Sequence, residues 1–508
     1  MASEVDIEPR LRLHPLSWIF ALAAFVRQFI VPLAAIVFFR ARDDGSLWGA
    51  VFVVPLLIAA LWRQMSFRYG FGADSLVLRE GWLFRNVRRI EYRRIENIDT
   101  ERGVLHRLLG VAKVRIESST GGKAEGEMRV LSLDAVQELR ERIFDERSRA
   151  SSSDEVVVER EAAQVLLHLP PVELLRYGLI DNRGMLIVAA FFGLLYQSNA
   201  VDFSRESIGL LYRTQWGGWT AAGLSAAALA TIGIVLFLVV TRLLSIVWSV
   251  VTLYDFTLVR QTADLRVTYG LLTRVALTLR LPRVQAVQQV QSPLHRLFDR
   301  VSLSVDLAGD GYNPEEQHGD DSRKRVRWLA PLCKRDQAIE IIHAALPMLD
   351  PGAEPEWRPL APGARARIFR KTLLVLVLAC SVPSIAFVEY GSPLLLLLPV
   401  PIAWWRAVTY TNHTRWALTR DALLFRSGWL TRRWSIVPRN RVQAVKIAVS
   451  PLDRRQRMGT LIADTAGASG MHGPLRIPYL EFETAARLAQ ALYRVEDAEC
   501  LTFSAAGQ

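Results

Sequence analysis

Cysteine is nearly missing from this chain, with three residues in 508, at Cys333, Cys380 and Cys500. Scattered and odd in number, they form no disulfide framework and point to a reducing side for the soluble parts. Histidine is sparse as well. The eight residues (His14, His106, His168, His295, His318, His343, His413 and His472) have no H-E-x-x-H or C-x-x-C company, so no familiar zinc pattern is written here. A Walker glycine loop and a G-x-S-x-G elbow are also absent, which removes the commonest nucleotide and acyl-transfer signatures. The expectation is a protein that is not an enzyme, with no catalytic residue, no cofactor and no metal. The one acidic cluster, "GDGYNPEEQHGDDSRKR" at 309–325, reads as a long polar loop rather than a cation site.

Apolar residues are abundant. They make up 51% of the chain, with 22% charged residues and a mean hydropathy of +0.18, a mixture that suits part membrane and part water. Apolar runs lie near 16–39, 47–62, 185–196, 223–253, 372–388 and 392–405. A bilayer core of about 30 Å needs roughly 20 helical residues, so the shorter runs make sense as halves of hairpins. Three transmembrane hairpins are expected, at 16–62, 170–253 and 366–409. Arg27 and Gln28 interrupt the first run, and the segment before them reads as lying along the interface. The preambles "LHPLSWIF" and "LHLPPVELLRYGLIDNRG" resemble one another.

Basic residues near the runs are unevenly shared. Arg10, Arg12, Arg63, Arg68, Arg176, Arg183, Arg365, Arg367, Arg370, Lys371 and Arg406 lie on the side of the N-terminus and the long polar stretches; Arg40, Arg42, Arg205 and Arg213 lie on the other. The positive-inside rule then puts both termini and the soluble parts in the cytoplasm. No cleavable signal peptide pattern is seen. The net charge of +12 is carried mainly by arginine, whose fork suits phosphate or carboxylate and equally suits a face kept beside anionic lipid.

The chain also repeats itself. "RVQAVQQVQSPL" begins at Arg283 and "RVQAVKIAVSPL" at Arg441, 158 positions later, and the match extends from Gly270/Gly428 to Gly309/Gly467. A fainter copy lies 189 positions earlier, where Gly81, Arg85, Arg94, Arg107 and Glu117 fall on Gly270, Arg274, Arg283, Arg296 and Asp306. A threefold repeat follows, with soluble domains at 65–146, 254–347 and 410–495 and linkers at 147–165 and 348–365. Each copy reads as β structure closed by one helix, an α+β domain built as a small barrel or bent sheet. Gly81, Gly270 and Gly428 suit a hairpin turn. The helices show apolar spacing at Val136, Leu139 and Ile143, at Ile339, Ile342 and Leu346, and at Leu488 and Leu492. RVQAV reads as an alternating strand in which Val284 and Ala286 pack on one face while Gln285 points away, and the proline of S-P-L ends it.

The order of apolar hairpin, G-[WL]-L-x-R, R-V-Q-x-V, S-P-L, D-x-A-G and helix resembles the bacterial membrane proteins with repeated PH-like domains, the YdbT-like family. The resemblance runs from "LHPLSW" to about Val495; copy one departs from it, with Arg94–Ile98 in place of RVQAV and Gly103–Leu105 in place of S-P-L. It implies PH-like barrels anchored by hairpins in the bacterial inner membrane. It also implies no established enzymatic activity and a loose link to envelope stress and antimicrobial peptide resistance.

The recurrent arginines are the candidate site. Arg85/Arg274/Arg432, Arg94/Arg283/Arg441 and Arg107/Arg296/Arg454 occupy matching places; they read either as partners for Glu117, Asp306 and Asp464 or as anion ligands. In copy one "RNVRRIEYRR" makes Arg85, Arg88, Arg89 and Arg93 the lipid-binding candidates. Two functions stay open. One is a scaffold binding anionic lipid or an unidentified membrane or cytoplasmic protein, with self-association open and no nucleic acid expected. The other is a transport or lipid-handling component, hinted at by Arg242 and Pro32. The topology has a direct test: cysteine at Ser204 or Ser207 should react with an impermeant thiol reagent on intact cells. Cysteine at Ser152 or Ser469 should not, and labelling of Ser469→Cys would invert the assignment.

Overall fold

The computed structural model describes residues 66–142, 164–197, 226–308, 327–350, 354–386, 399–466 and 473–493. Residues 82–85, 119–123, 262–263 and a few single positions within those ranges are excepted; part of 11–22 and Trp62 are also described. Most of the first apolar pair, with Arg27 and Pro32, most of the 147–165 linker and the acidic 309–325 stretch lie outside these residues.

Each copy consists of seven strands, four and then three. Copy one has β1 (Leu11–Arg12), β2 (Arg68–Phe71), β3 (Ser75–Glu80) and β4 (Asn86–Glu91), then β5 (Ile95–Arg102), β6 (Val111–Ser118) and β7 (Ala124–Ser132). Copy two has β8 (Gln164–His168), β9 (Thr257–Gln261), β10 (Asp264–Tyr269) and β11 (Arg274–Arg280), then β12 (Val284–Gln291), β13 (Val301–Leu307) and β14 (Trp328–Cys333). Copy three has β15 (Arg358–Pro359), β16 (Arg415–Leu418), β17 (Ala422–Ser427) and β18 (Arg432–Pro438), then β19 (Val442–Ala448), β20 (Met458–Thr465) and β21 (Leu475–Glu481). The helices are α1 (Val104–Leu108), α2 (Pro171–Ile180), α3 (Arg183–Gln197), α4 (Ala226–Leu253), α5 (Pro293–Leu297), α6 (Arg335–Ala345), α7 (Ala364–Ala386), α8 (Pro399–His413), α9 (Pro451–Arg454) and α10 (Phe482–Leu492).

A single 3-10 turn divides the four strands from the three in every copy, at Tyr92–Arg94, Leu281–Arg283 and Arg439–Arg441. The two halves of a copy then enter different sheets. The sheet orders are β1-β2-β3-β4, β7-β6-β5-β11-β10-β9-β8, β14-β13-β12-β18-β17-β16-β15 and β19-β20-β21. The second half of copy one is therefore continued by the first half of copy two, and the second half of copy two by the first half of copy three. Two compact units result, Met1–Leu279 and Arg280–Gln508, out of phase with the repeats. No sheet among the described residues closes into the barrel the sequence suggested: the turn between the halves sends the chain into a second, open sheet.

In copy one the two halves share a core of Tyr69, Leu76, Leu78, Ile90 and Tyr92 against Val114, Ile116, Met128 and Leu139. In copy three the same arrangement joins Trp416, Leu423 and Phe425 to Leu461, Ile477, Leu488 and Leu492. Val136 and Leu139 are buried as expected, and Ile143 lies outside the described residues. In α6, however, Ile339 is 57% exposed and Ile341 fully buried. The buried face there is Ala338, Ile341, Ile342 and Ala345.

RVQAV does not alternate. The register shifts between Ile95 and Asn97, between Val284 and Ala286, and between Val442 and Ala444, a β-bulge at one position in all three copies. Glu96, Gln285 and Gln443 are the bulged residues. Gln285 is 4% exposed and donates from Nε2 to the Arg283 carbonyl at 3.3 Å. The S-P-L prolines likewise start something rather than only ending the strand. Pro293 and Pro451 open short helices whose N-caps are Ser292 and Ser450, each accepting from the backbone N–H three residues on, as a first-turn proline permits.

The strand before each apolar segment pairs with the strand after it: β1 with β2, β8 with β9 and β15 with β16. The second preamble is thus a sheet strand in part, and β15 falls inside the stretch read as the 348–365 linker. In unit one α2 and α3 pack on α4. Buried Thr241, Ser245 and Ser249 line that contact; Ser245 accepts from Gly184 N–H at 2.8 Å and Ser249 donates to the Leu174 carbonyl at 2.9 Å. Small and hydroxyl residues allow such close helix approach. In unit two α7 packs on α8, with Ala364, Ile368 and Thr372 on one side and Ala403 and Ala407 on the other all buried. Among the described residues one helix segment, Thr231–Leu253, is long and apolar enough to cross a membrane.

Gly81, Gly270 and Gly428 all have positive φ, at 89°, 112° and 85°. A Cβ at Gly270 or Gly428 would stand 2.0 Å from the carbonyl oxygen of Thr273 or Thr431, so strain and collision add. Gly270→Val or Gly428→Val should lower stability by about 2 kcal/mol or more, read as a reduced Tm of the full chain; a Tm equal to the parent's would remove the turn's structural role.

Candidate functional site

The recurrent arginines separate into three jobs. Arg107 and Arg296 stand at the ends of the short helices α1 and α5 and reach the next copy. Arg107 Nη2 donates to the Leu271 carbonyl at 2.6 Å and to Leu272 at 3.4 Å; Arg296 Nη2 donates to the Leu430 carbonyl at 2.9 Å. Leu272 and Leu430 are equivalent residues, so one guanidinium grips the same glycine turn in both places. Arg454 holds the third position on α9, where it is exposed.

Arg94 and Arg283 serve the 3-10 turns. Arg94 Nε lies 3.2 Å from Glu91, and Arg283 Nη2 donates to the Ala308 carbonyl at 2.6 Å. The Nε of Arg441 is buried with no hydrogen-bond partner among the described residues. Arg274 pairs with Asp255 at 3.4 Å, both exposed.

The basic run of copy one is a strand rather than a loop. Register sets Arg89 opposite Val77 and Arg88 opposite Leu78, so the two arginines fall on opposite faces of β4. Both are exposed, and Arg89 Nε donates to Ser75 Oγ at 2.9 Å. Arg93 lies in the turn Tyr92–Arg94, and Arg85 is outside the described residues.

The sequence reading missed a different set. Arg68 stands directly opposite Arg79, and Arg415 directly opposite Arg426; these are the same two positions in copies one and three. In copy two they are Thr257 and Thr268, whose hydroxyls share a hydrogen bond of 3.0 Å. The signal was present as Arg/Thr/Arg at both positions of the repeat alignment, outside the motifs that carry the likeness. Like charges directly opposite each other in a sheet oppose folding. In copy three Arg426 sits over the Trp434 ring at 5.4 Å, a cation–π contact. Burial, followed by the charges of Arg432 and Arg415, pushes its guanidinium below the ordinary arginine value. The Nε atoms of Arg426 and Arg432 are buried with no hydrogen-bond partner among the described residues. Arg415, Arg426 and Arg432 thus form a cationic cluster with unused donors, two residues beyond the end of α8. Trp405 and Trp429 meet edge to face at 4.5 Å, linking α8 to the glycine turn before Arg432.

Arg242 has a structural task. Its Nη1 donates to the carbonyls of Leu179 and Asp181, both at 3.2 Å, and to Asn182 Oδ1 at 2.6 Å, a cation on the C-terminal end of α2. Among the described residues no three His, Cys, Asp or Glu side chains gather as a metal site.

Comparison with known proteins fits this layout. The family model described as "Bacterial PH domain" matches three times, at 19–147, 217–338 and 372–496. The chain belongs to the bacterial PH domain family. Each match includes apolar sequence ahead of its sheets, and the second and third begin 198 and 155 residues after the one before. The UPF0699 transmembrane protein YdbT of Bacillus subtilis (strain 168) is 23% identical over 486 residues, covering 91% of this chain and 94% of the relative.

The arginine pair of PH domain three generates a stability prediction. Replacing Arg415 and Arg426 by the threonines of PH domain two should raise stability by a few tenths to about 1 kcal/mol, measured as a higher Tm at low salt. A marked fall in Tm would make the pair a structural one.

Proposed function

We propose that this chain is a non-enzymatic inner-membrane protein, held by helical hairpins with its PH domains on the cytoplasmic side, where PH domains one and three bind anionic lipid headgroups on a scaffold. The observation that carries this reading is the Arg415–Arg426 pair, with Arg432 beside it, none of them matched by a described carboxylate. A guanidinium cluster with buried unused donors suits a phosphodiester, which would screen the mutual repulsion of the arginines and fill their donors.

Position supports it. Arg415 follows α8 by two residues, and Arg68 follows Trp62, the last residue of the second apolar run, by six. Both arginine pairs then lie at the depth where headgroups and interfacial tryptophans meet. Arg89 shares the face of Arg68 and Arg79 by register and adds a third cation in PH domain one. Membrane attachment is supported by the Thr231–Leu253 segment and by a relative whose name is that of a transmembrane protein. The transport reading loses one of its two hints, because Arg242 is occupied with the end of α2.

The test uses the full chain in detergent or nanodiscs, with bound phosphatidylglycerol or cardiolipin measured against phosphatidylcholine. Each basic residue at an anionic surface is worth about 1 kcal/mol, so Arg415→Gln with Arg426→Gln should weaken anionic lipid binding roughly 30-fold. Rising salt should weaken the parent. Arg88→Gln with Arg89→Gln probes PH domain one separately. Binding that ignores both salt and all four substitutions would leave a protein-binding scaffold in its place.

A further inference from the structure

Two of the PH-domain junctions inside this chain are built alike. Strand β5 takes β11 along its free edge, and β12 takes β18. The registers are the same: Ala276 faces Thr100 in the first junction and Trp434 faces Gln289 in the second. Ala276 and Trp434 are equivalent residues, as are Thr100 and Gln289. At both junctions an arginine at the end of the short helix, Arg107 or Arg296, closes on the incoming glycine turn.

The series is left open at each end. β19 is the third member of the β5/β12 position; it pairs with β20, and among the described residues no strand lies on its other side. Arg454, the third member of the arginine position, is exposed and has no hydrogen bond or ion pair from its side chain to a described residue. β4 is the first member of the β11/β18 position; it pairs with β3, and among the described residues its outer edge is open too. Val87 on it is 58% exposed. An open edge of this kind is a template for another strand, and the two ends carry the two complementary halves of one junction.

We infer that the β19 edge, with Arg454, takes β4 of a second copy of this chain, extending the internal series head to tail. The occupant is fixed by continuity with the two internal junctions. Val87 precedes Ala276 by 189 residues and Ile447 follows Gln289 by 158, so Val87 of one copy faces Ile447 of the next. Arg88 then faces Lys446. That like-charge pair has no counterpart in the second internal junction, where Gln288 faces Ser435, and it makes the contact between chains weaker than those within one. The association is heterologous, so it propagates unless it closes into a ring. An apolar segment precedes every repeat, and each added chain brings its own. The inference does not rest on lipid binding.

The experiment uses the full chain in membranes, with Cys380→Ser and Cys500→Ser as background and buried Cys333 retained. Two differently tagged copies are co-expressed, one with Val87→Cys and one with Ile447→Cys, and oxidised. Directly opposed residues on paired strands are within disulfide reach, so a mixed-tag dimer is expected. Val87→Cys with Lys446→Cys should give little, because a one-residue slip points the thiol to the other face. Lys446→Gln should raise the cross-linked fraction roughly two- to fivefold, and Arg454→Gln should lower it. A single chain carrying both cysteines should form a ladder. No mixed-tag dimer, equal yield from the slipped pair, or an internally bridged monomer from the doubly substituted chain would each overturn the inference.

Discussion

Backbone hydrogen bonding along strand edges is the constraint from which the rest of this protein follows. A bent PH-like sandwich leaves edge strands with unpaired N–H and C=O groups, and such edges must be covered, blunted or paired. Here the edge of β5 is paired by β11 and the edge of β12 by β18. The domain border seen in the sequence is therefore not the border of compactness, which falls at Leu279 and Arg280. Arg107 and Arg296 add a charge-assisted bond to carbonyls of the arriving turn, and the glycine there accepts the positive φ that turns those carbonyls outward.

The same economy governs how the helices join the sheets. A strand before and a strand after each apolar segment pair with one another, so both ends of the segment are tied to one sheet edge. In the third repeat a largely buried ion pair, Arg367 with Asp453 at 2.9 Å, fixes the start of α7 to the short helix α9. Burial, the largest single influence on Asp453, pushes its carboxyl up, and the bonds to Ser450 and Arg367 with the Arg367 charge together hold it below its ordinary value. The matching residue in repeat two is His295, held between Ser292 and Ser302 at 2.7 Å each and pushed down to about 4 by burial. One fold position thus carries an anion in one repeat and a neutral ring in another, each satisfied locally.

The arginine pairs make a different kind of contact, like charge facing like charge. Most polar contacts here close a turn, cap a helix or join two repeats. Arg415, Arg426 and Arg432 instead bring positive charges together and leave buried donors unused. Repeat two shows the sheet does not need them, since a threonine pair with its own hydrogen bond fills the same two positions.

The repeat, its offsets, the glycine turns and the closing helices were legible in the amino-acid sequence, because duplicated strands must keep the same apolar spacing and a positive φ admits few residues but glycine. The twelve-residue likeness itself was legible, but its cause was not: Gln285 and Gln443 recur at a bulge, and a bulge is a relation between two strands. Nor could the sequence show that Arg107 and Arg296 reach carbonyls 164 and 134 residues away, or that Arg415 faces Arg426, since register is set by pairing. Periodicity along one strand determines which side chains share a face. Which strand lies next to it, and so which charges meet and which edges stay open, was decided by the tertiary structure alone, because those hydrogen bonds join segments that no local pattern relates.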